Sequence, residues 1–236
     1  MKKRLIWDLP TRLFHWLLVL SIVAQYVTAD LLDDAVQWHF YVGYFTLGLI
    51  IFRLLWGMVG PKYAKFSQFV KGPKDVFEYA KTLFDRDSLP SVGHNPVGGW
   101  FVMVMIVLVL VQAVSGLFMT DDIFLDGPLR RMATGDVLTI MNTLHHVAFD
   151  TLLYVIALHI GASVFYGIYK RQQLLPPMIN GKKPLPVDDE QYYGETQGIR
   201  HSYLGRAIII ALIAAASVYI IIEVLPPSSS ATQYYY

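Results

Sequence analysis

The sequence predicts an all-α integral membrane protein, and three observations carry that prediction. Hydrophobic residues make up 55% of the 236-residue chain and charged residues only 16%, where ordinary soluble domains carry about 25% charged residues. The apolar residues gather into five stretches long enough to cross a bilayer, which takes about 20 residues of helix. The positive charges fall almost entirely between alternate stretches, so that threading the chain puts every Lys and Arg except Arg130 and Arg131 on one side.

The predicted spans run over 12–30, 37–59, 96–119, 141–168 and 206–225. The first follows "MKKR", as a secretory signal would, but "WDLPTRLFHW" interrupts the charged end and no small-residue cleavage site follows Ala29. It is therefore expected to be a retained helix. The second, beginning at "WHFYVGYF", stops before Pro61, and Pro96, Pro128 and Pro226 mark other ends, where a missing N–H costs least. "HNP" before the third span reads as an Asn cap followed by Pro in the first turn. The third and fifth spans, "GGWFVMVMIVLVLVQAVSGLFMT" and "AIIIALIAAASVYIIIEVLPP", are the plainest. The polar stretch 172–200 reads as an extended connection, and no internal repeat or soluble domain is evident. The expected organisation is a core over 1–180, a cytoplasmic connection over 181–205, a fifth transmembrane helix over 206–226 and an extracytoplasmic tail over 227–236.

Charge sets the orientation. Positive residues mark cytoplasmic loops, so the N-terminus is expected in the cytoplasm and "PPSSSATQYYY" outside, in a multi-pass membrane protein. Trp7, Trp16, Trp38, Trp56 and Trp100 lie near span ends and read as an interfacial belt. The lipid bilayer is thus the first partner, and nothing points to nucleic acid.

The chain contains no cysteine. Disulfides, Cys-ligated iron–sulfur clusters, Cys-containing zinc sites and covalent c-type haem are excluded, and a metal would be held by His, Met, carboxylate or backbone. Seven histidines occur, at 15, 39, 94, 145, 146, 159 and 201. His145 and His159 lie fourteen residues apart in the fourth span. Fourteen helical steps return a side chain to within about 40° of its starting direction, about 21 Å further along the axis. One helix face therefore carries two imidazoles at two membrane depths, where ionisable groups are costly and are candidates for function. Depth then pairs His39 with His145 near the outer face and His15 with His159 near the inner face. Two imidazoles facing each other at one depth are what a six-coordinate, bis-histidine haem b requires, and helix-bundle cores are where such sites are built. His146, thirteen residues from His159, is turned about 140° off that face.

The segments "WDLPTRLFHW", "WHFYVGYFTLGLIIFRLLWGMVGP", "GHNPVGGW" and "TLHHVAFDTLLYVIALH" resemble the bacterial di-haem cytochrome b family. That family includes the b-type cytochrome subunit of nickel–iron hydrogenases and the small cytochrome b-561 proteins. The resemblance covers roughly residues 5–180. It implies a four-helix haem-binding bundle with two haems b, and electron passage between the quinone pool and an extracytoplasmic redox partner: a hydrogenase, a dehydrogenase or a cytochrome c. The family's ligands fall on the first, second and fourth helices and match His15, His39, His145 and His159. Two departures stand out: the fifth helix with its tail is extra to the four-helix core, and Asp150 stands where a small neutral amide is more usual.

Supporting roles are open at several positions. Arg12 and Arg53 are candidates for pairing with haem propionates, through the bidentate contacts that Arg makes with carboxylates; snorkelling to lipid phosphate is the plainer reading for Arg12. Arg130 and Arg131 are either outer propionate partners or solvated loop residues. Gly43, Gly116 and Gly161 admit either a porphyrin edge or close helix packing. Asp150, about 140° round from His145, suits proton transfer or an interhelical hydrogen bond. His94 reads as a quinone or propionate contact, or as a surface histidine in a capping turn. Two rival functions have other bases. A His-lined metal or proton transporter needs a polar pathway, and few polar residues besides the histidines lie at depth. A membrane anchor for a periplasmic complex is compatible with haem. Homo- or hetero-oligomeric assembly is left open.

Overall fold

The computed structural model describes residues 2–122, 125–185, 198–199 and 201–227. All five predicted spans are helical: Leu9–Leu31, Val36–Val59, Pro96–Gly116, Gly135–Ile168 and Leu204–Val224. The first comprises helix α1 (Leu9–Tyr26) closed by a wide π-type turn at Val27–Leu31, and the second is α2 (Val36–Val59). Two short helices follow, α3 (Phe66–Phe69) and α4 (Pro73–Lys81). The third and fourth spans are α5 (Pro96–Gly116) and α6 (Gly135–Ile168). After α7 (Leu175–Asn180), the fifth span is α8 (Leu204–Tyr219), again finished by a π-type turn.

Local chemistry fixes the helix starts. Asp8 caps α1 by accepting from Thr11 N at 2.9 Å, with Pro10 in the first turn. Asn95 caps α5 by accepting from Gly98 N at 2.6 Å, with Pro96 at its first position, as "HNP" predicts. The fourth span starts at Gly135, six residues before the predicted boundary, because Gly135, Asp136 and Thr139 interrupt the apolar run there. Asp136 there suits a helix N-terminus, and hydropathy alone does not register it. At 34 residues α6 is about 51 Å long, more than a hydrocarbon core of about 30 Å requires.

Phe14 of α1, Leu49 and Ile50 of α2, Val109 of α5 and Leu152 of α6 share one buried cluster, so four helices meet in it. The fifth span joins from outside: Ala207 and Ile210 of α8 pack on Trp56 of α2 and on Ala64. Outward faces remain apolar and exposed, as at Leu20, Leu158 and Leu212, which suits a lipid solvent. The segment after the fourth span does not simply extend away. Strand β1 (Lys2–Leu5) pairs antiparallel with β2 (Lys182–Leu185), Lys3 facing Pro184 and Arg4 facing Lys183. This ribbon, α3, α4 and α7 cap one end of the bundle, called here the basic end. Most of the polar connection beyond Leu185 and most of the tail lie outside the described residues.

The aromatic belt needs a correction. Trp16, Trp38 and Trp100 are exposed as expected, but Trp56 is fully buried and Trp7 nearly so. The Trp56 indole N–H donates to Asp8 Oδ1 at 3.0 Å and reaches Thr11 Oγ1 at 3.2 Å. Thr11 Oγ1 in turn donates to Asp8 Oδ2 at 2.7 Å. An N-cap thereby locks the start of α1, which carries His15, to the end of α2, which carries Arg53.

Candidate functional site

The four histidines singled out by spacing come together in two pairs. His15 and His159 have ring centroids 6.4 Å apart, and His39 and His145 have centroids 6.5 Å apart. Each pair joins α6 to a different helix, α1 at the basic end and α2 at the far end. Yet α6 packs along α5 and makes no comparably close backbone approach to α1 or α2. The backbones of α6 and of α1 and α2 thus leave a slot that side chains fill, the two imidazole pairs towards its ends and Leu152 against Phe14, Leu49 and Ile50 between them.

The separation has a chemical meaning. Imidazole nitrogens bind a metal at about 2 Å, so two on opposite sides of one ion stand about 4 Å apart. Ring centroids lie about 1 Å behind each nitrogen, which gives the spacing found in both pairs. Among the described residues no group of three or more His, Cys, Asp or Glu is placed to hold a metal ion. An ion held here by two protein ligands would have to bring its remaining donors with it, as the iron of a porphyrin does.

Hydrogen bonds fix how the far-end imidazoles present themselves. His39 Nδ1 lies 3.2 Å from the Gln25 carbonyl and 3.3 Å from Thr28 Oγ1. His145 Nδ1 lies 3.2 Å from the Gln112 carbonyl and 3.0 Å from Ser115 Oγ. A carbonyl only accepts, so in both rings Nδ1 carries the proton and Nε2 keeps its lone pair. The Gln112 side-chain amide reaches His145 Nε2 at 3.1 Å and meets that lone pair, so this amide has to swing aside before Nε2 can bind a metal. Of the candidate glycines, a Cβ on Gly116 would stand 3.3 Å from His145 Cε1 and one on Gly43 3.2 Å from Gln25 Nε2, whereas one on Gly161 would meet nothing within 4 Å. The basic-end pair is held differently. His15 Nδ1 is buried without a hydrogen-bond partner, Trp16 meets the His15 ring edge-on, and Phe101 stacks on His159 at 6.2 Å.

Arg53 and Arg12 both lie at the basic end. Arg53 is only 3% exposed, its Nη1 has no hydrogen-bond partner, and its guanidinium sits over Phe66 at 4.8 Å. That ring approaches α2 only because residue 57 is glycine, since a Cβ there would come 2.1 Å from Phe66 Cε2. Arg12 donates through Nη1 to the Ile179 carbonyl, while its Nε is shielded and unpartnered. Three neighbours complete this end, and sequence reasoning missed two of them, Tyr63 and Lys183. His94, read as a surface residue or a ligand contact, has its ring against Trp7 at 4.7 Å and Phe69 at 4.5 Å, with Nδ1 buried and unpartnered. Burial, then the charges of Arg53, Lys183 and His159, lower its pKa to about 3. Tyr63 OH is likewise buried and unpartnered, and burial raises its pKa. Lys183, lowered by burial to about 8, donates to the Ser91 carbonyl. The "GHNP" motif around His94 was the one available signal; Lys183 and Tyr63 had none.

Other candidates stand apart. His146 and Asp150 are exposed on α6, the His146 ring lying 6.1 Å from that of its chain neighbour His145, and His201 is exposed too. Arg130 and Arg131 approach Asp126 at 3.4 and 4.0 Å in their own loop.

The model of the prokaryotic cytochrome b561 family matches residues 6–181, a stretch holding four spans and all four paired histidines. Among curated relatives, the "Probable Ni/Fe-hydrogenase B-type cytochrome subunit" of Rhizobium leguminosarum bv. viciae is 24% identical over 211 residues, covering 75% of this chain and 87% of the relative. The protein of the same name from Rhodobacter capsulatus is 21% identical over 215 residues, covering 78% and 82%. No solved structure matches the chain. An all-helical bundle with membrane-length spans and histidines paired across its slot is therefore joined to a family match over most of the chain: it belongs to the prokaryotic cytochrome b561 family, membrane proteins that transfer electrons through haem b.

Proposed function

We propose that the chain binds two haems b, one between His39 and His145 and one between His15 and His159, and that they form an electron route across the bacterial inner membrane. The observation that carries this reading is the repeated ring separation, 6.5 and 6.4 Å, across a slot beside α6. The ligand histidines on α6 stand about 21 Å apart along its axis, so the two sites serve different depths. With the N-terminus in the cytoplasm, the far-end pair faces the periplasm and the basic-end pair the cytoplasm.

Each haem, when bound, supplies one-electron redox chemistry; the chain supplies ligands, dryness and charge. At the basic end the unpartnered Arg53 Nη1 and Arg12 Nε suit haem propionates, since an Arg fork binds carboxylates. Tyr63 and neutral His94 add further hydrogen-bonding groups to the same face. The buried carboxylate of Asp8 is already occupied by Thr11 and Trp56. The second substrates are a membrane quinone and an extracytoplasmic redox protein or catalytic subunit, on the pattern of the hydrogenase-named relatives. A cysteine-free chain has no iron–sulfur centre of its own for a substrate such as hydrogen.

Purification from cells supplied with haem tests the reading directly. The expected product is red, with b-type bands on reduction and two haems per chain. A colourless preparation, or a single haem at full loading, would overturn it.

A further inference from the structure

Two segments on different helices treat the far-end histidines alike. In α1 and its π-type turn, Thr28 Oγ1 donates to the Ala24 carbonyl four residues back, at 2.7 Å. In α5, Ser115 Oγ donates to the Val111 carbonyl four residues back, also at 2.7 Å. Each hydroxyl has one proton, and that bond uses it. What the hydroxyl turns to the neighbouring imidazole is a lone pair, 3.3 Å from His39 Nδ1 and 3.0 Å from His145 Nδ1. The carbonyl three residues before each hydroxyl, Gln25 in one case and Gln112 in the other, stands 3.2 Å from the same nitrogen.

We infer that Gln25–Thr28 and Gln112–Ser115 are a repeated holder, Gln-x-x-Ser/Thr, whose carbonyl and hydroxyl fix the tautomer and aim of the two far-end haem ligands. The inference rests on the reading that His39 and His145 ligate one haem. The first and third spans each end in a holder, and the second and fourth spans each supply the histidine it grips. The far-end site is thus assembled from two helical hairpins with the same division of labour. Back-bonding by Ser or Thr alone is ordinary in apolar helices. Here the back-bond leaves only acceptors facing Nδ1, in one register, at both ligands. An imidazole whose N–H is engaged by acceptors is a more basic ligand, and greater basicity favours oxidised iron. Thr28 and Ser115 are positioning residues that act through the histidines.

The test compares the full-length, haem-loaded protein with T28V/S115A and with the swap T28S/S115T, by potentiometric titration of both haems; H145A identifies the far-end signal. In T28V/S115A the Gln25 and Gln112 carbonyls remain, so both haems are expected to stay. The reduced-to-oxidised ratio of the far-end haem is expected to rise about tenfold at a fixed ambient potential, about 59 mV for one electron. The basic-end haem stays put, and the swap titrates as wild type. Unchanged potentials in T28V/S115A would overturn the holder, as would equal loss of haem from both double variants. Retention of both haems in H145A would instead overturn the ligand reading beneath it.

Discussion

The two ends of α6 prepare their histidines by opposite means. At the far end both Nδ1 atoms are engaged by backbone carbonyls and hydroxyls, and the cations of the adjoining loop among the described residues, Arg130 and Arg131, approach Asp126. At the basic end His15 Nδ1 has no partner, and the surroundings hold Arg53, Lys183 and Arg12 instead. On the two-haem reading proposed above, the far end orients neutral ligands, whereas the basic end gathers positive charge for a haem that brings negative charge. Both differences act on iron in one direction, since basic ligands favour the oxidised state and nearby cations the reduced one. The basic-end haem is therefore expected to have the higher midpoint potential. Potentiometric titration of H145A and H159A, each left with one haem, reads the order directly.

The sharpest way to break the comparison is to remove ligands one at a time. His39→Ala and His145→Ala should each lower the haem content from two per chain to one and abolish the same spectral component. His15→Ala and His159→Ala should each abolish the other. If His15→Ala and His145→Ala removed one and the same component, the depth pairing would be wrong and the contrast between the ends would lose its basis.

Arg53→Met separates charge from packing. A buried cation without a full hydrogen-bond complement is a liability until an anion arrives. Haem-free protein carrying this substitution should be at least as stable as wild type to thermal unfolding in detergent. Its basic-end haem should dissociate about 10- to 100-fold more readily, the worth of a charge-assisted hydrogen bond, with the far-end haem unaffected. Weakening of both haems together would mean that Arg53 serves the whole bundle.

Asp8→Ala attacks the basic end through the fold. It removes the α1 cap and leaves the buried Trp56 N–H with a weaker set of acceptors, a loss of about 2–4 kcal/mol. Because α1 carries His15, the basic-end haem should be lost at a lower temperature than the far-end one in a melt followed by absorbance. Asp8→Asn, which keeps an acceptor oxygen, should cost less.

The residues behind these effects differ in how legible they are in the sequence. His145 and His159 announce themselves because helical periodicity converts fourteen residues into one face at two depths. The spans are legible because a bilayer demands long apolar runs. Thr28 and Ser115 are silent: a hydroxyl in an apolar helix looks the same whether it only back-bonds or also grips a neighbour. Trp56 reads as a belt residue because it lies near a span end, and only Asp8 and Thr11 at the start of α1, Ala64, and Ala207 and Ile210 of α8, all remote in sequence, bury it. His94 is hidden for the same reason, since "GHNP" gives the cap but not the layer that closes over it.

A smaller effect sharpens the contrast through pH. The His94 pKa is lowered from its ordinary 6.5 to about 3, chiefly by burial and then by Arg53, Lys183 and His159. The unfolded chain therefore takes up this proton first, so the group's contribution to stability is complete above pH 6.5 and is lost progressively down to pH 3. By pH 5 the loss is about 2 kcal/mol. Basic-end haem should be shed more readily at pH 5 than at pH 7.5, and His94→Gln should flatten that dependence. The far-end haem, remote from His94, should show no such trend, and equal acid sensitivity at both ends would remove His94 as its cause.

The least effect is expected from deleting 204–236, and its smallness follows from the solvent. Helix α8 lies outside the four-helix cluster, touching α2 through Ala207 and Ile210 and donating from Arg206 to the Val59 carbonyl at 2.8 Å. In water, stripping this face would expose apolar surface; in a bilayer, lipid tails replace the lost side chains at little cost. None of the paired histidines or holder residues draws a hydrogen bond from α8 among the described residues. Both haems should stay bound with unchanged potentials. A slight fall in the melting temperature of the basic-end haem is expected, because Trp56 loses its cover and helps hold Asp8. Loss of either haem on deletion would place the fifth span in the core, and the two ends would then differ in their number of supporting helices as well as in their chemistry.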